Sequence, residues 1–487
     1  MFLTQFYFFN FIAFSPEFFL ILNILFCLLF LSTYNKIYLT YINTKQNTLF
    51  VLLLLLLLLY FFPLNFEIIF NGLFCCKLNY TLLKIIITFF LFLFIIMNNN
   101  KYLVLTPFLS EYFILLQISL LSLFLILISM NFISLFLSIE LQSLTFYILV
   151  CLYNENIYSI EASIKYLILG ALNTSIFLLG ISFIYGSLGS LFFIDILLLS
   201  EIFNYLNIFS FLTCIGIFLI IIAFFFKIGI VPFHSWLIDV YEGSPTTIAM
   251  FFSIIPKIIL ISIFITLLNA FKFNFFFFFY IISIISLIIG CFSTLLQQKY
   301  KRFLAFSTIT HNGFLFIFFF KISIESFQFF YFYNIFYIIM TFLLWSFILI
   351  YKNNKYSNLK FITDLNNLYK LNTSYSIIFL ILFFSLMGMP PFIGFFTKLG
   401  IFWYLYSCNF IFFFFFCCFI SCICSYYYLK IIKIIFYDIK QKYISIFILS
   451  KEESIILSYL TLSLFFSIFK INLILLFCKK LSLFFFL

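Results

Sequence analysis

The sequence predicts an all-α, polytopic membrane protein of about fourteen transmembrane helices, built around two inverted five-helix repeats. Three observations lead there. Of 487 residues, 66% are hydrophobic and 8% charged, and the mean hydropathy is +1.27; soluble domains carry roughly 25% charged residues. Apolar runs of the length that crosses a bilayer, about 20 residues, follow one another along the chain. Basic residues gather between those runs, and more of them on one side than on the other.

In order, the spans fall near 2–31, 48–71, 80–97, 106–130, 132–153, 163–186, 205–240, 244–270, 275–298, 302–322, 327–351, 376–403, 405–437 and 453–478. The seventh and twelfth are broken, at Pro232 and at Pro390 and Pro391. Loops after odd-numbered helices carry Lys36, Lys45, Lys101, Lys299, Lys301, Arg302, Lys352, Lys355, Lys360, Lys370, Lys440, Lys442 and Lys451. The even side and the C-terminus carry six: Lys77, Lys84, Lys272, Lys321, Lys479 and Lys480. By the positive-inside rule the odd loops face the matrix or cytoplasm and both termini face away. The expected division is a three-helix segment over 1–100, a first repeat over 101–270, a second over 271–437 and a last helix within 438–487.

Composition also excludes. A net charge of +11 would suggest nucleic acid in a soluble protein. Here it reflects scarce acids, and no nucleic-acid partner is expected. The twelve cysteines lie largely in or beside apolar runs such as CCFISCIC, where cysteine acts as a small apolar residue. No metal-ligand spacing, P-loop or dinucleotide fingerprint occurs. The first apolar run begins at residue 2 without a basic n-region, so no cleavable signal is expected. Phe, Ile, Leu, Tyr, Asn and Lys have AT-rich codons, which suggests an AT-rich organelle genome. Runs such as LLLLLLLL and FFFFF read as drift on lipid-facing helices.

Chemistry enters with the charges that lipid should forbid. In FFFKIGIVPFHSWLIDVYEGSPTT a lysine, Lys227, ends an apolar run five residues before Pro232. A charge at mid-membrane costs roughly 2.5–3.5 kcal/mol on insertion scales. Breaking a helix frees backbone groups that lipid cannot satisfy. Both therefore need a protein-lined, hydrated interior. Glu140, Lys257, His311 and Lys398 are further ionisable residues within apolar runs.

Their spacing suggests the repeat. Glu140 to Lys227 is 87 residues, as is His311 to Lys398. The same offset of 171 carries Lys257 to 428, with Lys430 two residues away. The offset spans five helices, an odd number, so the second copy is inverted, as in many secondary transporters with paired broken helices. The prolines themselves do not align, since Pro232 follows its lysine whereas Pro390 and Pro391 precede theirs.

Motifs now make a family recognisable. KIGIVPFHSWLIDVYEGSPTT, EASIKYLILGALNTS, QQKYKRFLAFSTITHNG, SLMGMPPFIGFFTK and SYYYLKIIKIIFY resemble the antiporter-like core subunits of respiratory complex I. DVYEGSPT resembles chain 2 rather than chains 4 or 5. The likeness runs over residues 105–437. Ile238 stands where the family usually has proline, and Asn312 where a small residue is common. The resemblance implies a proton path along the membrane mid-plane, in which Glu140 and Lys227 form an acid–base pair. Lys257 is then the central relay, His311 the link to the second half and Lys398 the terminal group. Lys165, His234 and Lys430 are secondary candidates.

It further implies an inner mitochondrial membrane location and partners among the other membrane-arm subunits. Lipids, with cardiolipin among them, would surround the chain. NADH, FMN, iron–sulfur clusters and ubiquinone are expected in other subunits, with no redox catalysis in this one. The chemistry alone agrees with the path. A carboxylate that approaches and leaves a buried lysine lets it bind and release a proton, and imidazole titrates near pH 6.5.

Plainer readings compete. A lone lysine can snorkel to an interface, as Lys470 near its helix end would; three of them with Glu140 and paired breaks favour function. Glu140 could be a protonated helix contact, and His311 a packing residue. His234 reads as structural, and Asp239 and Glu242 as residues of an aqueous mouth. A stand-alone cation/proton antiporter, a scaffold without pumping and a plastid homologue are the alternatives for the whole chain.

Overall fold

The computed structural model describes residues 12–33, 37–61, 66–98, 109–152, 156–206, 211–271, 275–353, 357–358, 360–366, 368–437, 444–446 and 450–483. Residues 2–11 of the first expected span lie outside them, as do Lys36, Lys101, Lys272, Lys355, Lys440 and Lys442. The protein is all-α apart from two small antiparallel sheets. Two compact units divide it: Met1–Ile228 with Gly243–Phe273, and Gly229–Glu242 with Asn274–Leu487. Among the described residues twelve helical stretches are long and apolar enough to cross a membrane, the last of them, Lys451–Leu483, made of two consecutive helices joined by a 3-10 turn.

The first unit opens with α1 (Ser15–Thr33) and α2 (Ile37–Phe61), then a hairpin of β1 (Phe66–Ile69) and β2 (Phe74–Lys77). It continues through α3 (Leu78–Met97), α4 (Leu109–Ile128), α5 (Phe132–Cys151), α6 (Ile157–Leu188), α7 (Phe193–Leu206) and α8 (Phe211–Ile228). After residues 229–242, which belong to the other unit, the chain returns for α10 (Thr246–Phe271). That helix is buried throughout its most apolar window and forms the core of the unit. α5 starts where Asn131 caps it, its side chain accepting from Ile133 N at 3.0 Å. Two-thirds of the equivalent window on α6 is not buried, consistent with a helix that faces lipid.

The second unit begins with the short α9 (Ser235–Gly243) that follows the first break. α11 (Phe276–Leu296), α12 (Tyr300–Phe316) and α13 (Ile324–Ile350) come next. A three-stranded sheet, ordered Ser357–Asn358, Tyr351–Asn353, Ile444–Ile446, lies between the helical stretches. The one-turn α14 (Leu368–Leu371) precedes the second broken pair, α15 (Thr373–Met387) and α16 (Ile393–Ser407). The chain ends on α17 (Ile411–Phe436), α18 (Lys451–Phe466) and α19 (Ile471–Leu483). Ser450 starts α18 with a capping box, bonding Glu453 N while Glu453 bonds Ser450 N.

Three expectations need correction. The span placed at 48–71 ends at Phe61, because Asn71 and Gly72 hold positive φ of 54° and 88° and turn the chain into the β1–β2 hairpin. α7, just 14 residues long, occupies a stretch read as a loop; it is too short to register as a span. Lys84, assigned to a loop, lies inside α3 and is 1% exposed, with Nζ 2.5 Å from Glu17 Oε1 on α1. As for number, α12, α15 and α16 fall below 18 residues, so they stand apart from the twelve full-length spans.

Candidate functional site

Lys227, Lys257 and Lys398 each sit at or beside an interruption of helical hydrogen bonding. Lys227 is in the last turn of α8, before a break that contains Gly229 at φ 78°. A Cβ on Gly229 would lie 2.4 Å from Leu237 Cδ1, so glycine is required both for the turn and for the return of α9. Lys257 directly follows Pro256, which lies inside α10 and removes one backbone donor, freeing the carbonyl four residues back. Lys398 is on α16, after the break at Gly388, Pro390 and Pro391. The Val231–Pro232 and Pro390–Pro391 bonds are both cis.

The second break shows what the charge does. Lys398 Nζ donates to Met387 O, the last residue of α15, at 2.7 Å. An ammonium there satisfies a carbonyl orphaned by the break and meets the negative end of the helix dipole. Gly388, at φ 77°, lets the chain turn, and a Cβ there would stand 2.7 Å from Lys398 Cδ.

His311 on α12 lies beside this lysine. Its Nδ1 is 2.6 Å from the Tyr333 hydroxyl and its Nε2 3.3 Å from that of Tyr428. The Tyr337 ring packs 4.5 Å from the imidazole. His311 and Lys398, each 6% exposed, line one cavity with Tyr333, Tyr337, Ser385 and Thr397. It has room for roughly one water. A neutral imidazole has one donor and one acceptor nitrogen, so a proton entering at one tyrosine and leaving at the other reverses both bonds.

In the first unit Glu140, on α5, accepts from Ser143 Oγ at 3.0 Å. It lies within electrostatic reach of Lys227, but among the described residues the two make no ion pair. Both are half-buried. Lys227 lines a cavity with Asn173, Thr174, Phe136 and Phe177, again with room for roughly one water. Asn173 Oδ1 is buried without a hydrogen-bond partner, so the cavity holds an acceptor as well as a cation. Lys257 is 6% exposed, deep in the same unit.

The secondary candidates sit elsewhere. Lys165 is exposed and pairs with Glu161 one turn away at 2.7 Å, and Lys430 is exposed on α17. The residue 171 positions beyond Lys257 is Tyr428 itself, fully buried on His311. His234 is half-buried in the break, with Nδ1 3.3 Å from Pro232 O. Glu242, at the end of α9, accepts from Lys299 and Arg302 around the start of α12. Burial alone would raise its carboxyl, but the hydrogen bonds and charges of these two cations outweigh it and hold the carboxyl below its usual value. Tyr333, Tyr428 and Asn173 escaped the sequence reading. Asn173 had a signal in GALNTS, three consecutive polar residues in an apolar run.

A broken-helix membrane protein with buried lysines, a carboxylate and a histidine is a member of the ion-translocating class. The chain belongs to the NADH:quinone oxidoreductase/Mrp antiporter family, which it matches over residues 129–424. It is 36% identical over 332 residues to NADH-ubiquinone oxidoreductase chain 2 of Marchantia polymorpha, covering 66% of each chain. NADH-quinone oxidoreductase subunit N of Ruthia magnifica is 33% identical, over 70% of this chain and 71% of that one. Among solved structures the fold resembles a chain of respiratory complex I from Thermus thermophilus with bound aureothin. The TM-score is 0.78 at 20% identity, covering 94% of this chain and 98% of that one. A chain of the Mrp complex from Dietzia sp. gives 0.82 at 14% identity, covering 97% of both.

Proposed function

We propose that this chain is a proton-translocating membrane subunit of an NADH:quinone oxidoreductase, acting through Glu140, Lys227, Lys257, His311 and Lys398. The observation that carries the reading is the coupling of lysine to helix break. Lys398 Nζ on Met387 O, next to His311 across a water-sized cavity, makes a proton acceptor whose local structure depends on its charge. Loss of the proton leaves a neutral amine, a weaker donor to that carbonyl and no longer a countercharge to the helix end, which favours rearrangement at the break. Glu140 and Lys227 work as the other group, with Asn173 beside the lysine in the cavity. The relatives named as NADH-ubiquinone oxidoreductase chain 2 and subunit N support this assignment.

The finer reading follows from the sequence. The chain resides in the inner mitochondrial membrane with both termini toward the intermembrane space. Its neighbours are other membrane-arm subunits, and lipids, cardiolipin among them, surround it. It binds no cofactor and performs no redox chemistry. The four domains are those of the sequence division, with inverted five-helix repeats at 101–270 and 271–437. A stand-alone cation/proton antiporter is the second reading, since the matching family takes in the Mrp antiporter as well as NADH:quinone oxidoreductase. Native electrophoresis of membranes in mild detergent separates them. Peptides of this chain in the large NADH-oxidising band support the subunit; peptides only in a small band without that activity overturn it.

A further inference from the structure

The N-terminal segment, outside the family match, carries a buried ion pair that the proposed path does not use. Glu17 on α1 is 0% exposed and Lys84 on α3 is 1% exposed, with Oε1 and Nζ 2.5 Å apart. Lys84 Nζ also stands 5.4 Å over the Phe124 ring of α4. The Cys76 thiol at the end of the hairpin lies within electrostatic reach of both charges. Glu17 Oε2 is buried and has no hydrogen-bond partner. A buried carboxylate oxygen left without a donor is costly even when its twin is paired.

Two further levels of polar contact cross the same bundle. At the middle, Asn23 Nδ2 donates to Gln117 Oε1 at 3.0 Å, and Asn47 Nδ2 donates to Asn23 Oδ1 at 3.1 Å. At the far end of α3, Lys45 Nζ donates to Asn98 O at 2.8 Å and Asn98 Nδ2 to the Tyr112 hydroxyl at 3.1 Å. Each level leaves one buried polar atom unmatched: Glu17 Oε2, Gln117 Nε2 and Asn98 Oδ1. Tyr112, Gln117 and Phe124 mark the three levels along α4, about 7.5 and 10.5 Å apart at 1.5 Å per residue. Lys84 and Asn98 lie about 21 Å apart on α3 and within about 40° of each other around its axis. Between them Thr88, buried, adds a hydroxyl that bonds Lys84 O at 2.9 Å.

A purely structural clamp would close such groups on one another. Here the leftovers are acceptor, donor and acceptor, which water can serve in turn because it both donates and accepts, given two to four polar partners. We propose that the α1–α4 bundle holds a file of internal water running from the Asn98–Lys45 end to the Glu17–Lys84 pair, and that this pair exchanges protons with it. A proton arriving through the water forms Oε2–H on Glu17. The pair goes from net zero to plus one, and the reverse step returns the proton to water. No other reactant is needed. The site is independent of Glu140, Lys227 and Lys398, so it stands or falls separately from the proposed path.

A map of the assembled membrane complex at a resolution that shows waters tests the file. Solvent density is expected within about 3.2 Å of Glu17 Oε2, Gln117 Nε2 and Asn98 Oδ1. Those atoms closed on protein groups, or bare, would overturn it. Dicyclohexylcarbodiimide labelling of the whole complex, read by mass spectrometry, tests the exchange, since the reagent modifies protonated carboxyls. Glu17 is expected to carry the label, and Lys84→Met to raise its yield at least fivefold. A Glu17 unlabelled in both proteins means a permanently ionised clamp and ends the proposal. If Lys84→Met does not assemble, Lys84→Gln replaces it, and the wild-type labelling and the map decide without either.

Discussion

The two groups of ionisable residues differ in how tightly they are held. In the second unit His311 has both ring nitrogens bonded to tyrosines, and Lys398 is fixed on the end of α15. In the first unit Glu140 and Lys227 are half-buried and, among the described residues, make no ion pair, and Lys227 faces a cavity whose Asn173 oxygen is unmatched. One group is preorganised and the other is open to rearrangement. A proton relay needs both kinds of site: fixed bonds hand a proton on quickly, whereas a pair that opens and closes gives the transfer a direction.

Experiments can break that contrast. The largest effect is expected at Glu140. Replacing it with Gln removes the only carboxylate within electrostatic reach of Lys227 among the described residues. NADH-driven proton uptake into proteoliposomes should drop about tenfold or more, a loss typical of an acid–base group, while assembly on native gels stays normal. Unchanged uptake would make Glu140 a helix contact. Lys398→Met comes next and should act twice. It should lower pumping, and it should also destabilise the subunit by about 1.5–3 kcal/mol, the range for a hydrogen bond to a charged group. Glu140→Gln should leave the melting temperature nearly unmoved by comparison, which marks the first group as the less structural of the two.

Tyr428→Phe should be milder, slowing pumping about threefold, since it removes one hydroxyl at 3.3 Å and leaves Tyr333 on the imidazole. A larger loss would mean that the longer bond carries the proton. The smallest effect is expected at Glu242, whose Lys299 and Arg302 partners are more than a third exposed and so contribute little. Its folded-state carboxyl is depressed, so its contribution is present above the ordinary carboxylate range and fades as pH falls below it. Melting of the complex from about pH 5 down to about pH 2.5 should show that fading in the wild type and not in Glu242→Gln.

Much of this was legible because charge in an apolar run is conspicuous. Glu140, Lys227, Lys257, His311 and Lys398 stand out against a chain with only 8% charged residues. Their neighbours did not. With 32 tyrosines and 87 phenylalanines, nothing local distinguishes Tyr333 or Tyr428 from packing rings. The repeat offset, followed for a lysine, leads to the exposed Lys430, whereas the buried residue at that offset is Tyr428. Lys84 passed for a boundary residue because its partner Glu17 is 67 positions away, a relation only the fold creates. The β1–β2 hairpin did have a signal, the Asn71–Gly72 pair between apolar stretches. It is masked by FEII, which reads as a continuation of the span over 48–71.

The most direct measurement is the ratio of protons moved to NADH oxidised in the purified, reconstituted complex carrying Lys227→Met. The charged site at the first break is predicted to be indispensable to transfer, so the ratio should fall well below the wild-type value while the complex remains assembled. A wild-type ratio in an assembled Lys227→Met complex would contradict the account, and would leave the lysine and the broken helix as architecture alone.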